Sequence, residues 1–269
     1  MRATRILSRS LAAVAAMALV ASRAHAVDVT DCGTSVPRGE TAEMVTDLVC
    51  EPDEVGVLLE NRSTLHMNGH SISGGTTGVG CLERCVVEGP GEIFGSTTGM
   101  WFGTKRIFVR DVSVHDCPSG GIESGQLGDL DVEDATFKSI DGNAIHAGKV
   151  RATNLSISDC GAEDAYGAIY ANFGFRGTNV QSSGNFGIGL YSNRKVEVTG
   201  LTIMDNWLEG IIARSVHLTD AFLANNGIFG NQVDIMSKAR PKLQNVVCEL
   251  SRHQLPVGNI EPWGVCTTD

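Results

Sequence analysis

The sequence predicts an all-β fold of one kind, a right-handed parallel β-helix in which three short strands and three bends make a coil and roughly nine coils stack. Three observations predict it. A column of Gly, Asn and Asp recurs every 20 to 25 residues, apolar and polar residues alternate on both sides of each member, and a Gly or Ala followed by an apolar residue opens a further strand in each interval. Composition agrees, with 32 glycines, 6% aromatics and no long segment of helical periodicity.

The chain begins with what reads as an address. Arg2, Arg5 and Arg9 precede an apolar run from Leu11 to Ala21, and Ala24-His25-Ala26 has the small-x-small form of a cleavage site. Residues 1–26 are therefore expected to be a signal peptide and Val27 the first mature residue. The apolar run is too short to span a bilayer, and no later stretch reaches the ~20 apolar residues of a transmembrane helix. The whole chain carries 21 basic and 31 acidic residues, a formal charge of −10. Cleavage removes four arginines and no acid, leaving 17 against 31, or −14. Nucleic acid and anionic membrane are excluded as general partners on that charge, and a polyanionic polysaccharide would need a local basic patch.

The repeat column is Gly89, Asp111, Asp134, Asn154, Asn179, Gly200, Asp220 and Asn245, all residue types that tolerate a left-handed backbone at a tight bend. Two residues before it stand Val87, Val109, Val132, Ala152, Gly177, Val198, Leu218 and Leu243. One after it stand Pro90, Val112, Ala135, Leu155, Val180, Leu201, Ala221 and Val246; three after it come Val114, Phe137, Ile157, Ser182, Ile203, Leu223 and Cys248. These face inward, because side chains on a strand alternate between faces, and polar residues such as Glu133, Thr153 and Thr178 between them face water. The third strand starts at Gly78-Val79, Gly99-Met100, Gly121-Ile122, Ala144-Ile145, Ala168-Ile169, Gly187-Ile188 and Gly210-Ile211. Coils stacked at about 4.8 Å from Val55 onward give a rod of about 40 Å. The expected organisation is a signal peptide at 1–26, an N-terminal cap at 27–54, the β-helix at 55–247 and a C-terminal cap at 248–269.

The recurring Gly-Ile, short strand and Val-x-Asn/Asp-Val corner resemble the parallel β-helix repeat of the pectin-lyase-like superfamily over about Val55 to Val247. Leu65-His66-Met67-Asn68-Gly69-His70-Ser71-Ile72-Ser73-Gly74 resembles the first full coil of many such proteins, which implies that His70 is structural. The superfamily includes lyases, hydrolases, epimerases and non-catalytic surface proteins, so the resemblance implies a fold and no single activity. The polygalacturonase-like motif set, the Asp-Pro-His of mannuronan epimerases and the Trp-x-Asp-His of pectate lyases are not found in this sequence.

Eight cysteines behind a signal sequence fit an oxidising compartment. Cys32 with Cys50, and Cys248 with Cys266, flank the two ends of the solenoid and can each staple a cap over an open end. Cys81 and Cys85 fall on inward positions of one coil and fit either a bridged corner or two packed thiols. Cys117 and Cys160 share a column two coils apart with Ile140 between. That separation is roughly 9.6 Å against a Cα limit of ~7 Å, so both are expected to be reduced core residues.

On the strand after the Gly-Ile markers the outward residues are Trp101, Glu123, His146, Tyr170, Tyr191 and Arg214. Stacked coils would make them one exposed stripe. Glu123 beside His146 is expected to orient the imidazole and raise its pKa, and the trio of Glu123, His146 and Tyr170 suits proton transfer. In uronate β-elimination or C5 epimerisation, His146 or Tyr170 would serve as base or returning acid, while Arg194 or Arg214 neutralises the substrate carboxylate. Trp101, Tyr170 and Tyr191 equally suit stacking against sugar rings, and the same residues would also suit a plain exposed sheet face held by cross-strand pairs.

The acidic run Asp129, Asp131, Glu133 and Asp134 suggests calcium until register is considered. Arg106 and Lys149 then neighbour Asp129, Arg151 neighbours Asp131 and Arg110 neighbours Glu133, so surface ion pairs are expected and no metal or cofactor is called for. The functional expectation is a secreted or periplasmic protein engaging an extracellular or cell-envelope polysaccharide. The alternatives are a non-catalytic structural or adhesive surface protein, and a uronate lyase or epimerase.

Overall fold

A computed structural model describes residues 26–125, 128–161, 167–227, 233–253 and 261–267. The expected signal peptide, apart from Ala26, lies outside the described residues. Among those residues every regular element is a strand, and the strands wind as a parallel β-helix of about nine turns.

Each coil contributes to three faces. On the first, Thr98–Phe102 pairs in parallel with Thr77–Cys81 on one side and Gly120–Ser124 on the other. On the second, which the chain reaches next, Ile107–His115 pairs with Val86–Phe94 and Leu130–Ile140, and these strands run through the bend column onto the third face. Later coils are longer unbroken strands, Asn143–Cys160, Ile169–Ser183, Leu190–Met204 and Ile211–Ala224, paired in parallel in that order. Parallel pairing also reaches back to the first described strand, where Val27–Val29 lies beside Thr41–Met44.

Burial follows the expected alternation. Val109, Val132, Val198 and Leu218 before the bend and Val112, Leu155, Val180 and Leu201 after it are all buried, as are Val114, Phe137, Ile157, Ser182, Ile203 and Leu223 beyond them. The bend members Asp111, Asp134, Asn154, Asn179, Asp220 and Asn245 have φ between 51° and 53°, and Gly200 has 69°. Their side chains also join across coils: the Asn154 amide donates to Asp134 Oδ1 at 2.7 Å, Asn179 to Asn154 at 3.0 Å and Asn245 to Asp220 at 3.0 Å.

Gly89 holds its place for a different reason. A Cβ there would meet the Asp111 carbonyl oxygen at 1.6 Å, so the requirement is close backbone approach. The register slips by one residue at this bend, Val112 pairs with Gly91, and Pro90 is exposed where an inward residue was expected. Met67 fills the space below Gly91.

A second expectation shifts by two residues. The apolar pair that opens the first-face strand after Ala168-Ile169 is Gly189-Leu190, since Ile169 pairs with Leu190. Gly187-Ile188 stands in the preceding corner, where Ile188 is also buried, so burial pattern alone admits either pair.

A further column of left-handed bends emerges only from the backbone. Gly95, Asp116, Ser139, Asp159, Gly184, Asp205 and Asn225 mark the bend between the third and first faces, again with positive φ. The residue after each points inward: Ser96, Cys117, Ile140, Cys160, Asn185, Asn206 and Asn226 are all buried. The asparagines form a ladder in which Asn185 Nδ2 donates to Asn206 Oδ1 at 2.8 Å, Asn206 Nδ2 to Asn226 Oδ1 at 2.7 Å and Asn226 Nδ2 to Asp234 Oδ1 at 2.7 Å. The Cys160 amide donates to Asn185 Oδ1 at 3.0 Å, so the ladder starts on the thiol coil. Fully paired, these buried amides fix the corner without leaving orphaned polar groups.

Disulfides join Cys32 to Cys50 and Cys248 to Cys266, as expected, and Cys81 to Cys85, which resolves that pair as a bridge with Cα atoms 6.1 Å apart. Cys117 and Cys160 are free and buried. Burial pushes their thiols up to about 11 and about 12 respectively, so both stay protonated.

Candidate functional site

The first face carries the aromatic stripe. Cross-strand register places Trp101 beside Glu123, Glu123 beside His146, His146 beside Tyr170 and Tyr170 beside Tyr191. The next coil places Ile212 beside Tyr191, so Arg214 is not in the stripe. Spacing alone admits both residues. The backbone admits only the one directly after Ile211, and Arg214 instead sits two residues on, exposed at the following bend. Arg194 occupies the equivalent bend after Tyr191, its amide donating to Ser192 Oγ at 3.2 Å.

The rings touch. Tyr170 and Tyr191 stack with centroids 5.0 Å apart and planes 10° apart, and His146 meets Tyr170 edge-on at 4.9 Å. Trp101 is exposed and lies across the Gly125 backbone, where a Cβ would meet its ring at 2.9 Å.

Glu123 and His146 do not form the expected ion pair. The Glu123 carboxyl folds back over Gly120, where a Cβ would meet Oε1 at 2.5 Å. Burial then acts on each group separately, raising the Glu123 carboxyl above its ordinary value and lowering the His146 imidazole below its own. The expectation of a raised His146 pKa is thus corrected: desolvation acts, and no neighbouring carboxylate opposes it.

His146 instead belongs to a polar chain across three coils. The Tyr191 hydroxyl donates to Asn193 Oδ1 at 3.0 Å, Asn193 Nδ2 donates to Asn172 Oδ1 at 3.3 Å, and Asn172 Nδ2 lies 3.4 Å from His146 Nε2. With the amide donating, Nε2 of the neutral ring is the acceptor and the ring proton resides on Nδ1. The sequence held a signal for the two asparagines: Tyr170-Ala171-Asn172 and Tyr191-Ser192-Asn193 repeat a Tyr-x-Asn triplet on consecutive coils.

Two half-buried titratable groups shifted in opposite directions, a pair of stacked phenols and carboxamides within one stripe can hold a sugar face, bond its hydroxyls and move a proton. His70, by contrast, is structural, its Nδ1 lying 3.2 Å from Asp47 Oδ1, which also accepts from the Ser71 amide at 2.9 Å. The acidic run is paired as expected in kind, though not in every partner. Arg110 binds Glu133 at 3.0 Å and Arg151 binds Asp131 at 3.2 Å, whereas Arg106 reaches Asp131 rather than Asp129. Asp131 is buried between those two arginines, and Asp129 accepts from the Lys149 main chain at 3.2 Å. Cys32, Cys50 and Glu54 bring ligand-type atoms within 4.8 Å of one another, but the two sulfurs are bonded together and leave no thiolate for a metal. Among the described residues no helix is long and apolar enough to cross a membrane.

No protein-family model and no curated protein matches the chain. A solved structure, the A-module of the mannuronan C-5 epimerase of Azotobacter vinelandii, is similar at 11% identity with a TM-score of 0.42, covering 80% of this chain and 78% of that one.

Proposed function

We propose that this protein is exported to the periplasm or beyond and engages an extracellular or cell-envelope polysaccharide through its first face, with Trp101, Tyr170 and Tyr191 as stacking platforms. The observation that carries the reading is the parallel Tyr170–Tyr191 stack on consecutive coils, tied by Asn193 and Asn172 to His146. Aromatic faces beside carboxamides match the alternating apolar faces and hydroxyl rims of pyranose rings. Three disulfides and the arginine-flanked apolar start of the chain support export.

Retention of the purified chain on a panel of immobilised polysaccharides tests this. Trp101→Ala combined with Tyr191→Ala weakens retention at least tenfold. Equal retention of both proteins, or no retention on any polysaccharide, would instead favour a structural or adhesive surface protein.

A second reading, uronate lyase or epimerase, rests on Glu123, His146 and Tyr170 standing side by side on consecutive coils, with burial shifting the first two in opposite directions. A neutral imidazole can take the proton beside a uronate carboxylate, and a carboxyl that protonates easily can return one to the leaving oxygen or to carbon. Arg194, at the bend three residues after Tyr191, would meet the carboxylate. Unsaturated chain ends report elimination, and solvent deuterium at C5 reports epimerisation. Turnover unchanged in His146→Ala would remove the imidazole from the reaction.

A further inference from the structure

The second face holds a feature that neither the stripe nor the overall charge leads one to expect. Asp131, Arg151, Arg176, Glu197, His217 and Lys242 lie in register, one per coil, along the axis. Two residues further on, Thr153, Thr178, Thr199 and Thr219 form a parallel column. Between and beside the columns run three depressions. One of about 280 Å³ is lined by Lys149, Phe173, Arg176 and Lys195, and one of about 320 Å³ by Arg106, Asp131, Arg151 and Thr178. A third, of about 390 Å³, is lined by Glu197, Thr199, His217 and Lys242. The second and third follow one another along the axis over the same two columns, from Arg176 and Thr178 to Glu197 and Thr199, and the first lies alongside across Arg151 and Arg176, so together they make one axial groove with a side channel.

The groove inverts the charge of the chain. Its walls carry six lysines and arginines against Asp131, Glu133 and Glu197, although acids exceed bases by ten over the whole sequence. Ion pairing leaves this excess in place. Asp131 is shared by Arg106 and Arg151, and Glu197 by Arg176 at 2.9 Å and Lys195 at 3.0 Å, so each of these acids meets two cations. The His217 imidazole responds to its surroundings: burial first, then the charges of Lys195 and Lys242, hold its pKa below the ordinary value against the opposing pull of Glu197. Phe108 and Phe173 are exposed in the same groove.

We infer that this groove is a binding site for a linear anionic polysaccharide lying along the solenoid axis, with its acid groups over the lysine and arginine side chains and its hydroxyls over the threonine column. The length of the groove argues for a polymer over a compact anion, since the cations are distributed coil by coil instead of converging on one point. The threonine hydroxyls and exposed rings argue for sugar, because they match hydroxyl rims and pyranose faces. The site lies on a different face from Trp101 and Tyr191 and stands whether or not that face binds a glycan.

Affinity electrophoresis of the full chain through gels containing dextran sulfate, polygalacturonate, neutral dextran or single-stranded DNA tests it. The native protein is expected to be retarded by one or both polyanionic polysaccharides and not by neutral dextran, with retardation falling as salt rises. Which polyanion retards it identifies sulfate or carboxylate as the recognised group. Lys149→Gln with Lys195→Gln, checked for an unchanged unfolding midpoint, weakens the interaction at least tenfold, while Lys138→Gln on the third face leaves it unchanged. Absence of retardation by either polysaccharide, equal retardation of the native and doubly substituted proteins, or tighter binding of DNA would overturn the inference. So would loss of polyanion retardation in Trp101→Ala/Tyr191→Ala with none in the lysine variant, a result that assigns the polymer to the first face.

Discussion

Replacing Asn206 by Ala removes the middle rung of the buried amide ladder. Asn206 Oδ1 accepts from the Asn185 side chain at 2.8 Å and from the Asn185 main chain at 3.2 Å, and its Nδ2 donates to Asn226 Oδ1 at 2.7 Å and to the Ser182 carbonyl at 3.4 Å. After substitution, the Asn185 side chain keeps Ser182 Oγ at 3.0 Å and Asn226 Oδ1 keeps the Asn206 main-chain amide at 3.4 Å. The Asn185 main-chain N–H loses its acceptor in a fully buried corner. An orphaned buried donor costs about 1–3 kcal/mol, and the lost Asn206–Asn226 bond adds about 1, so the variant should be less stable by about 2–4 kcal/mol. Equilibrium unfolding in urea measures this, with the slope held equal between the proteins. Asn193→Ala, an exposed carboxamide, serves as control and should change stability by about 0.5 kcal/mol or less. A value for Asn206→Ala no larger than that of the control would refute the claim that the ladder holds the corner.

Three further outcomes are expected. Asn154 sits at φ 51°, so Asn154→Ala should cost about 1–2 kcal/mol in backbone strain, whereas Asn154→Gly, losing the same side-chain bonds without the strain, should cost less; urea unfolding of the two variants orders them. Cys117 and Cys160 should resist iodoacetamide at pH 8 in the folded protein and react fully in denaturant, as mass spectrometry would show. His146 should titrate below 6.5 by NMR. Its folded pKa is depressed, so its contribution to stability is complete above the unfolded value of 6.5 and is lost as pH falls from there through the folded midpoint, a dependence that His146→Gln should flatten.

Much of the architecture was legible because a stacked coil repeats one physical requirement. A left-handed bend selects Gly, Asn or Asp, and Asp111 through Asn245 announce it at every turn. Where the requirement is met differently, residue type does not reveal it: at Gly89 close approach to Asp111 governs, and the extra residue turns Pro90 outward. The buried ladder was hidden because asparagines usually read as surface bends. Only stacking shows that Asn185, Asn206 and Asn226 satisfy one another in the core column where earlier coils place Cys117, Ile140 and Cys160.

The stripe from Trp101 to Tyr191 followed from register. Its far end did not, because two residues of spacing separate Ile212 from Arg214 and sequence alone does not fix the bend between them. Side-chain direction was equally out of reach. Adjacent positions put Glu123 beside His146, yet the carboxyl turns back over Gly120 and the imidazole turns toward Asn172.

Oxidative footprinting of the aromatic side chains, with and without whichever polysaccharide the chain retains, tests the central claim most directly. Glycan bound on the first face should shield Trp101, Tyr170 and Tyr191 from oxidation and leave Phe222, exposed on the third face, as reactive as in the free protein. Saturating glycan with undiminished oxidation of the two tyrosines and Trp101 would contradict it.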